Sequence, residues 1–333
     1  MRYHATMPLA CRLFAFGEKP PAVRVEETPS TAPAPGEVVV RMLAAPINPA
    51  DLNVIEGTYG ELPRLPATIG NEGVGEILAV GSGVQTLRVG QKVLPLAFGT
   101  WTQELVLPAK NTIPLPDDID IHQAAMLAVN PATAWRLLHD FASLQPGDWI
   151  VQNAANSGVG RAVIQLARHL GLRTLNVVRR PELLNELRSL GGDVVVTEEA
   201  DLRREARQIC GGALPKLALN AVGGASALNI ANALAPGSQH VTFGAMARQP
   251  LKIPNSLLIF QNLAFRGFWL RRWKEAAPAS EIQATYSALA ELLGCGILHT
   301  PIQQILPLTQ VTQALSAAMG DKRSGKILLD LPS

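Results

Sequence analysis

The chain has 333 residues, 47% hydrophobic and 17% charged, with 29 Lys and Arg against 27 Asp and Glu for a formal net charge of +2. At ~100–200 residues per domain the length implies two domains, and the apolar share excludes a disordered chain. Near-balanced charge gives no electrostatic ground for nucleic acid or an anionic membrane as partner, and no apolar stretch nears the ~18 residues of a membrane span. Arg12 interrupts the first apolar run and no cleavage-like end follows, so no signal peptide is expected in the first 20 residues. Cys11, Cys210 and Cys295 are odd in number and far apart, which argues against a disulfide framework and leads to an expected cytoplasmic location. No C-x-x-C pair exists, and His4, His122, His139, His169, His240 and His299 are scattered, so no metal site is expected.

Up to about residue 128 the chain reads as β-rich. Ala22 to Glu26 alternates apolar and charged residues, and Glu37–Ala45 is a β-branched run after Pro35-Gly36. Val74–Val80 and Lys92–Leu96 are short strands bounded by glycines. Many short, Gly- and Pro-punctuated strands point to a barrel or sandwich. Beyond Asn130 the rhythm changes. Trp149–Val151 is an apolar strand, and Val159, Val163, Leu166, Ala167 and Leu170 then recur at helical spacing up to Gly171. Strands at Thr174–Val178, Asp193–Thr197, Leu217–Asn220 and His240–Phe243 alternate with helices at Pro181–Leu190, about 201–210 and Ala225–Leu234. Such alternation implies βαβ units and a parallel sheet. A helix with Leu315 and Met319 and a strand Lys326–Leu329 end the chain.

Asn156, Ser157, Gly158, Val159 and Gly160 follow the first of these strands and open the first helix. A dinucleotide pyrophosphate sits at such a helix N-terminus, where free N–H groups and the helix dipole meet the anion, and small residues let the backbone approach. The alternative is a purely structural strand–helix turn. The next strand ends in Arg179 and Arg180, 19 residues beyond Gly160 at the nearer of the two. An NAD enzyme places an acid there for the ribose hydroxyl, whereas guanidinium groups suit the 2′-phosphate of NADPH. Two solvated surface arginines are the competing reading.

Several ordered motifs resemble the zinc-free branch of the medium-chain dehydrogenase/reductase superfamily, and within it the mitochondrial-type trans-2-enoyl-thioester reductases. They are Ile47-Asn48-Pro49-Ala50-Asp51-Leu52-Asn53 with Gly57-Thr58-Tyr59-Gly60, then Gly70-Asn71-Glu72-Gly73, Phe98-Gly99-Thr100-Trp101 and Val129-Asn130-Pro131. Gln152–Gly160, Ala218–Gly224, Phe243–Pro250 and Arg266–Leu270 continue the series to the end of the resemblance near Leu329. The resemblance implies an α/β chain: a GroES-like catalytic domain at 1–128 completed by 304–333, and a Rossmann NADP-binding domain at 129–303. The substrate is then expected in a cleft between them. Zinc-dependent members place Cys where Asn48 stands and His where Asn71 stands, so hydride transfer without a metal is expected here.

By the same resemblance Tyr59 is the proton donor, although a loop tyrosine serves equally well as packing. Its phenol, with an ordinary pKa of ~10, is protonated at neutral pH and can meet a developing enolate. Asn130 matches a position near the nicotinamide, and as Asn-Pro it also suits a helix start. Phe243, Gly244, Ala245 and Met246 are implied beside the nicotinamide, and Phe268, Trp269 and Leu270 beside the cofactor and an apolar slot. Lys326 matches a lysine near the cofactor or is a solvated strand end. Arg271, Arg272 and Lys274 are either a docking patch for acyl-CoA or acyl carrier protein or a solvated face. The expected activity is NADPH-dependent reduction of trans-2-enoyl thioesters by a homodimer. The alternatives are a zinc-free quinone or enone reductase and a non-catalytic NADPH-binding protein.

Overall fold

The computed structural model describes residues 7–320 and 324–331, so Tyr3, His4 and the start of the stretch read for a signal peptide lie outside it. The chain forms two compact units: residues up to Val129 together with those from Ala279 onward, and Asn130–Pro278.

In the first unit the strands are β1 (Leu9–Ala15), β2 (Ala22–Glu27), β3 (Glu37–Pro46), β4 (Ala67–Thr68), β5 (Val74–Val80), β6 (Lys92–Pro95), β7 (Glu104–Pro108) and β8 (Thr112–Pro114). Helix α1 (Pro49–Glu56) follows β3, and α2 (Ile121–Ala124) follows β8. The β-branched β3 is central: it pairs antiparallel with β5, with β7 and with the chain's last strand. A second, three-stranded sheet runs β2-β1-β4. The packed β-rich unit matches expectation, but α1 is absent from the elements read in the sequence. Its start is set by Pro49 in the first turn and by Asp51, whose carboxylate accepts from the Asn48 N–H at 2.7 Å. Gly57, left-handed at φ 74, ends it; a Cβ there lies 2.9 Å from Phe16 Cβ.

The second unit opens with α3 (Asn130–Asp140) and continues β9 (Trp149–Gln152), α4 (Gly158–His169), β10 (Arg173–Val178), α5 (Leu184–Leu190), β11 (Val194–Thr197) and α6 (Leu202–Ile209). Then come β12 (Leu217–Asn220), α7 (Gly224–Ala231), β13 (Gln239–Thr242), α8 (Asn255–Ile259), β14 (Ala264–Gly267) and α9 (Leu270–Ala276). All six strands are parallel, in the order β11-β10-β9-β12-β13-β14. That is the doubly wound dinucleotide-binding order, with the reversal between β9 and β12.

The chain then returns to the first unit through α10 (Ala279–Gly294), β15 (Ile302–Pro307), α11 (Val311–Met319) and β16 (Lys326–Asp330). β16 lies antiparallel to β3, with Leu329 opposite Ala45, so the C-terminal strand completes the N-terminal sheet. The return falls at residue 279 rather than at the expected 304, because α10 is bonded into the first unit. The buried Tyr286 hydroxyl donates to the Ala128 carbonyl at 3.0 Å, and Gln123 and Thr300 exchange two hydrogen bonds.

Candidate active site and cofactor cradle

In the second unit the turn after β9 is held by buried amides. Gln152 Nε2 donates to the Gly160 carbonyl at 3.0 Å and to Asn176 Oδ1 at 2.8 Å. Asn153 Nδ2 donates to Asn220 Oδ1, and Asn153 Oδ1 accepts from the Ala221 N–H, both at 2.8 Å. These bonds fix the carboxyl ends of three adjacent parallel strands. Ser157 caps α4, its Oγ accepting from the Gly160 N–H at 3.1 Å. The two glycines answer separate constraints. A Cβ at Gly160 lies 2.6 Å from the Ala155 carbonyl oxygen, and one at Gly158 lies 3.0 Å from the Asn130 side-chain Cγ. The Asn130 side chain therefore lies against the Gly158 backbone, and α3 counts Asn130 as its first residue. The first N–H groups of α4 have no intrahelical acceptor and lie at the carboxyl edge of the sheet, an arrangement suited to an anion.

Arg179 and Arg180 follow β10 at that same edge, since β9 and β10 are parallel. Arg179 is exposed, and Arg180 is half-buried with its Nε 3.8 Å from Glu182. Further along the edge, Phe243 and Met246 donate backbone N–H groups to Asn220 and Ala221, and a Cβ at Gly244 lies 2.9 Å from the Ala221 carbonyl oxygen. Ala245 and Met246 are exposed. Phe268 packs edge-on against Phe141, centroids 5.8 Å apart, while Leu270 is buried. Trp269 is flanked by Arg271 and Arg272 at 5.7 and 5.8 Å from its ring. Arg271 also pairs with Glu275 at 3.0 Å, so part of the basic patch is locally neutralised.

Tyr59 and Lys326 belong to the first unit. Tyr59 stands two residues beyond Gly57, half-buried against the β-rich core. Lys326 is not a solvated strand end: it is 8% exposed and its ammonium donates to Asn48 Oδ1. Around it lies a buried polar network absent from the sequence reading. Asn48 Nδ2 donates to Glu72 Oε1 at 2.6 Å, the Val129 N–H donates to Glu72 Oε2 at 2.7 Å, and Asn71 Nδ2 donates to Asp51 Oδ1 at 2.7 Å. Burial pushes Asp51 up to about 6 against the hydrogen bonds from Asn48 and Asn71. It pushes Glu72 up to about 7 against the nearby Lys326 charge. Tyr286 is raised far above the usual phenol value by burial and by Glu72. The sequence clues to this network were the three-residue spacing of Asn48 and Asp51 and an acid between Gly70 and Gly73.

Residues 34–117 match the family described as Alcohol dehydrogenase GroES-like domain, and residues 158–285 match Zinc-binding dehydrogenase. The mitochondrial enoyl-[acyl-carrier-protein] reductase of Mus musculus is 47% identical over 322 residues, 95% of this chain and 86% of that protein. An enoyl thioester reductase from Candida tropicalis superposes with a TM-score of 0.87 at 31% identity, covering 98% and 100% of the two chains. A putative NADPH:quinone reductase from Bacillus thuringiensis superposes with a TM-score of 0.91 at 29% identity, covering 98% and 99%.

The zinc in the second family's description does not fit this chain. Asn48 and Asn71 turn their amide N–H groups to carboxylates, and an ammonium stands on Asn48 Oδ1. Among the described residues no cluster of His, Cys, Asp and Glu is placed to hold a metal. The expected cytoplasmic location is corrected by the mitochondrial relatives. Three free cysteines separate a reducing compartment from an oxidising one, not one reducing compartment from another.

Proposed function

We infer, for a chain that belongs to the medium-chain dehydrogenase/reductase superfamily and to its enoyl-thioester reductases, that the reaction is reduction of the 2,3 double bond of a trans-2-enoyl thioester. The observation that carries the reading is Tyr59, presented by α1 and its Gly57 stop beside a core whose zinc-ligand positions hold amides. The enzyme is an oxidoreductase acting on a CH–CH group with a nicotinamide coenzyme. NADPH is the proposed coenzyme, because Arg179 and Arg180 offer cations where a 2′-phosphate lies.

When bound, NADPH supplies the hydride for the β-carbon. Ser157, Gly158, Val159 and Gly160 would hold its pyrophosphate at the start of α4, and Asn130 would offer its amide to the nicotinamide half. Phe243–Met246 and Phe268–Leu270 edge the ring and the acyl slot. Tyr59 donates its phenolic proton to the enolate that hydride addition creates at the thioester. Lys326 balances charge beneath Asn48. The first unit acts as the catalytic domain and the second as the cofactor domain. The acyl group arrives as a CoA or carrier-protein thioester, with Arg271, Arg272 and Lys274 as the cationic patch for its phosphates.

A homodimer is part of the same proposal. β14 ends the parallel sheet, and Ile259 and Phe260 just before it are 68% and 82% exposed, so a second copy of the chain has both an open strand and an apolar ledge to cover. Phe260→Glu is expected to shift the mass measured by light scattering toward the monomer. Side-by-side NADPH oxidation with crotonyl-CoA and with a quinone tests the activity. Turnover of the quinone alone overturns the thioester reading in favour of the quinone reductases that share the fold.

A further inference from the structure

We propose that Glu72 is a positioning residue for this reaction, clamping the head of α1 and the backbone at Val129 through its two carboxylate oxygens. The proposal rests on the enoyl-thioester reading for its kinetic consequence only. α1 leads through Gly57 to Tyr59, and Val129 is the last residue before Asn130, which opens α3 and lies against the cradle. One side chain thus holds the chain just ahead of two residues assigned to the chemistry.

The hydrogen-bond polarity leaves no alternative partner type. Asn48 Oδ1 is occupied by the Lys326 ammonium, so its Nδ2 must face Glu72 and the amide cannot turn over. The second partner is a backbone N–H, which is always a donor. A carboxylate accepts both donors, one on each oxygen. A carboxamide of the same shape has one oxygen and must set its own NH₂ against either Asn48 or Val129. Glu72 also has no room to adjust. Its carbonyl accepts from Thr100 Oγ at 2.7 Å, and it sits between Gly70 and Gly73. A Cβ at Gly70 lies 2.4 Å from the Trp101 ring, and one at Gly73 lies 2.7 Å from Met42 Cε. Gly70 adopts φ 112, open mainly to glycine. Tyr286, on α10, grips the adjoining Ala128 carbonyl independently.

The test compares Glu72→Gln, Glu72→Asp, Tyr286→Phe and Tyr59→Phe in the full chain. It measures kcat and KM with crotonyl-CoA, NADPH affinity by calorimetry, melting temperature, and hydrogen exchange at the Val129 amide. A misplacement of about 1 Å costs ~10²-fold in rate, so Glu72→Gln is expected to lower kcat toward that extent with NADPH affinity within about twofold. Its Val129 amide loses protection while the β3 amides keep theirs. Glu72→Asp, which keeps both oxygens on a shorter arm, recovers part of both readouts. Tyr286→Phe removes a buried bond on the next residue yet keeps Val129 protected.

Unchanged Val129 exchange in Glu72→Gln overturns the proposal. So does a kcat loss matched by an equal loss of NADPH affinity, or by an equal kcat loss in Tyr286→Phe at the same melting temperature. If Glu72→Gln does not fold, Val129 exchange in Glu72→Asp decides in the same directions. Failure of the Tyr59 reading is seen separately, as Tyr59→Phe turning over at the unmodified rate, and leaves the exchange result standing.

Discussion

Beneath the cofactor cradle and beneath α1 the protein buries polar groups in two different ways. Gln152, Asn153, Asn176 and Asn220, at most 1% exposed, lie on or beside adjacent parallel strands and satisfy one another as neutral amides. Asp51 and Glu72, equally buried, share one ammonium, Lys326, and lean on the amides of Asn48 and Asn71. Burying amides in a complete network costs little, because every donor finds an acceptor whatever the pH. Burying two carboxylates with one cation leaves a titrating cluster whose geometry depends on its charge. The first arrangement suits a rigid receptor for a coenzyme. The second suits a place where a proton is handled.

The largest effect that sharpens this division is expected at Tyr59. Tyr59→Phe removes one hydroxyl from the first unit and leaves the ring, so kcat with crotonyl-CoA falls by ~10²–10⁴-fold, the usual range for general acid catalysis. NADPH affinity, which the proposal assigns to the second unit, is expected to stay nearly unchanged. Solvent-deuterium incorporation at the α-carbon reports whether water then replaces the phenol. An unmodified rate makes Tyr59 a packing residue and breaks the division.

The two buried networks are expected to part in their pH dependence. Asn220→Leu strands the Val222 and Gly223 N–H groups that Asn220 Oδ1 accepts and leaves Asn153 Nδ2 its bond to Ser226 Oγ. It costs about 1–3 kcal/mol per stranded group, at every pH alike. Asp51 titrates near 6 in the fold and ~3.9 unfolded, so between these values the folded chain holds the extra proton. Stability contributed by that proton is present in acid and lost as pH rises through about 6, by up to about 2–3 kcal/mol. Asp51→Asn flattens this slope in urea melts at pH 5 and 7.5. An equal slope in the variant sinks the assignment.

Legibility followed the same line. The cradle's chemistry is local: Asn156–Gly160 is one stretch between a strand and a periodic helix, so spacing alone exposes it, and strands β10 and β12 fall within a residue of their expected bounds. The charged network is assembled by topology. Asn48 and Lys326 are 278 positions apart and Tyr286 and Ala128 158 apart, so no window of sequence brings them together. The β3–β16 pairing joins the first pair, and the packing of α10 beside α2 joins the second. α10 is absent from the elements read in the sequence, and its partners, α2 and Ala128, are remote in the chain. Tyr59 and Lys326 stood out through family likeness, which marks positions without saying what each touches.

A smaller effect is expected at the cradle's rim. Replacing Arg179 and Arg180 by alanine is expected to raise KM for NADPH by ~10–100-fold with NADH little affected, since a charge-assisted phosphate contact contributes ~1.5–3 kcal/mol. Equal efficiency with NADH in the unmodified enzyme removes the argument for NADPH.

The smallest expected effect lies at His240, a buried titratable side chain of the second unit. His240 is fully buried in β13, tilted against Phe265 at 4.8 Å, with both ring nitrogens shut away from solvent. Burial lowers it to about 4, against ~6.5 for an unfolded histidine. Between these values the unfolded chain binds the extra proton, so this group's contribution is present above about 6.5 and lost as pH falls toward 4. The sign is opposite to that of Asp51, and the two partly cancel in the unmodified protein. His240→Phe keeps a planar ring and removes both nitrogens. It is expected to match the unmodified stability at pH 7.5 and to lose about 1 kcal/mol less on going to pH 5.5. In the Asp51→Asn background Glu72 still titrates with the sign of Asp51, so the His240 slope is read as the difference between His240→Phe and its parent. A His240→Phe variant that loses stability toward acid as fast as its parent shows that the ring takes up its proton in the fold as readily as in the unfolded chain, and the buried polar groups of the second unit are then not all neutral.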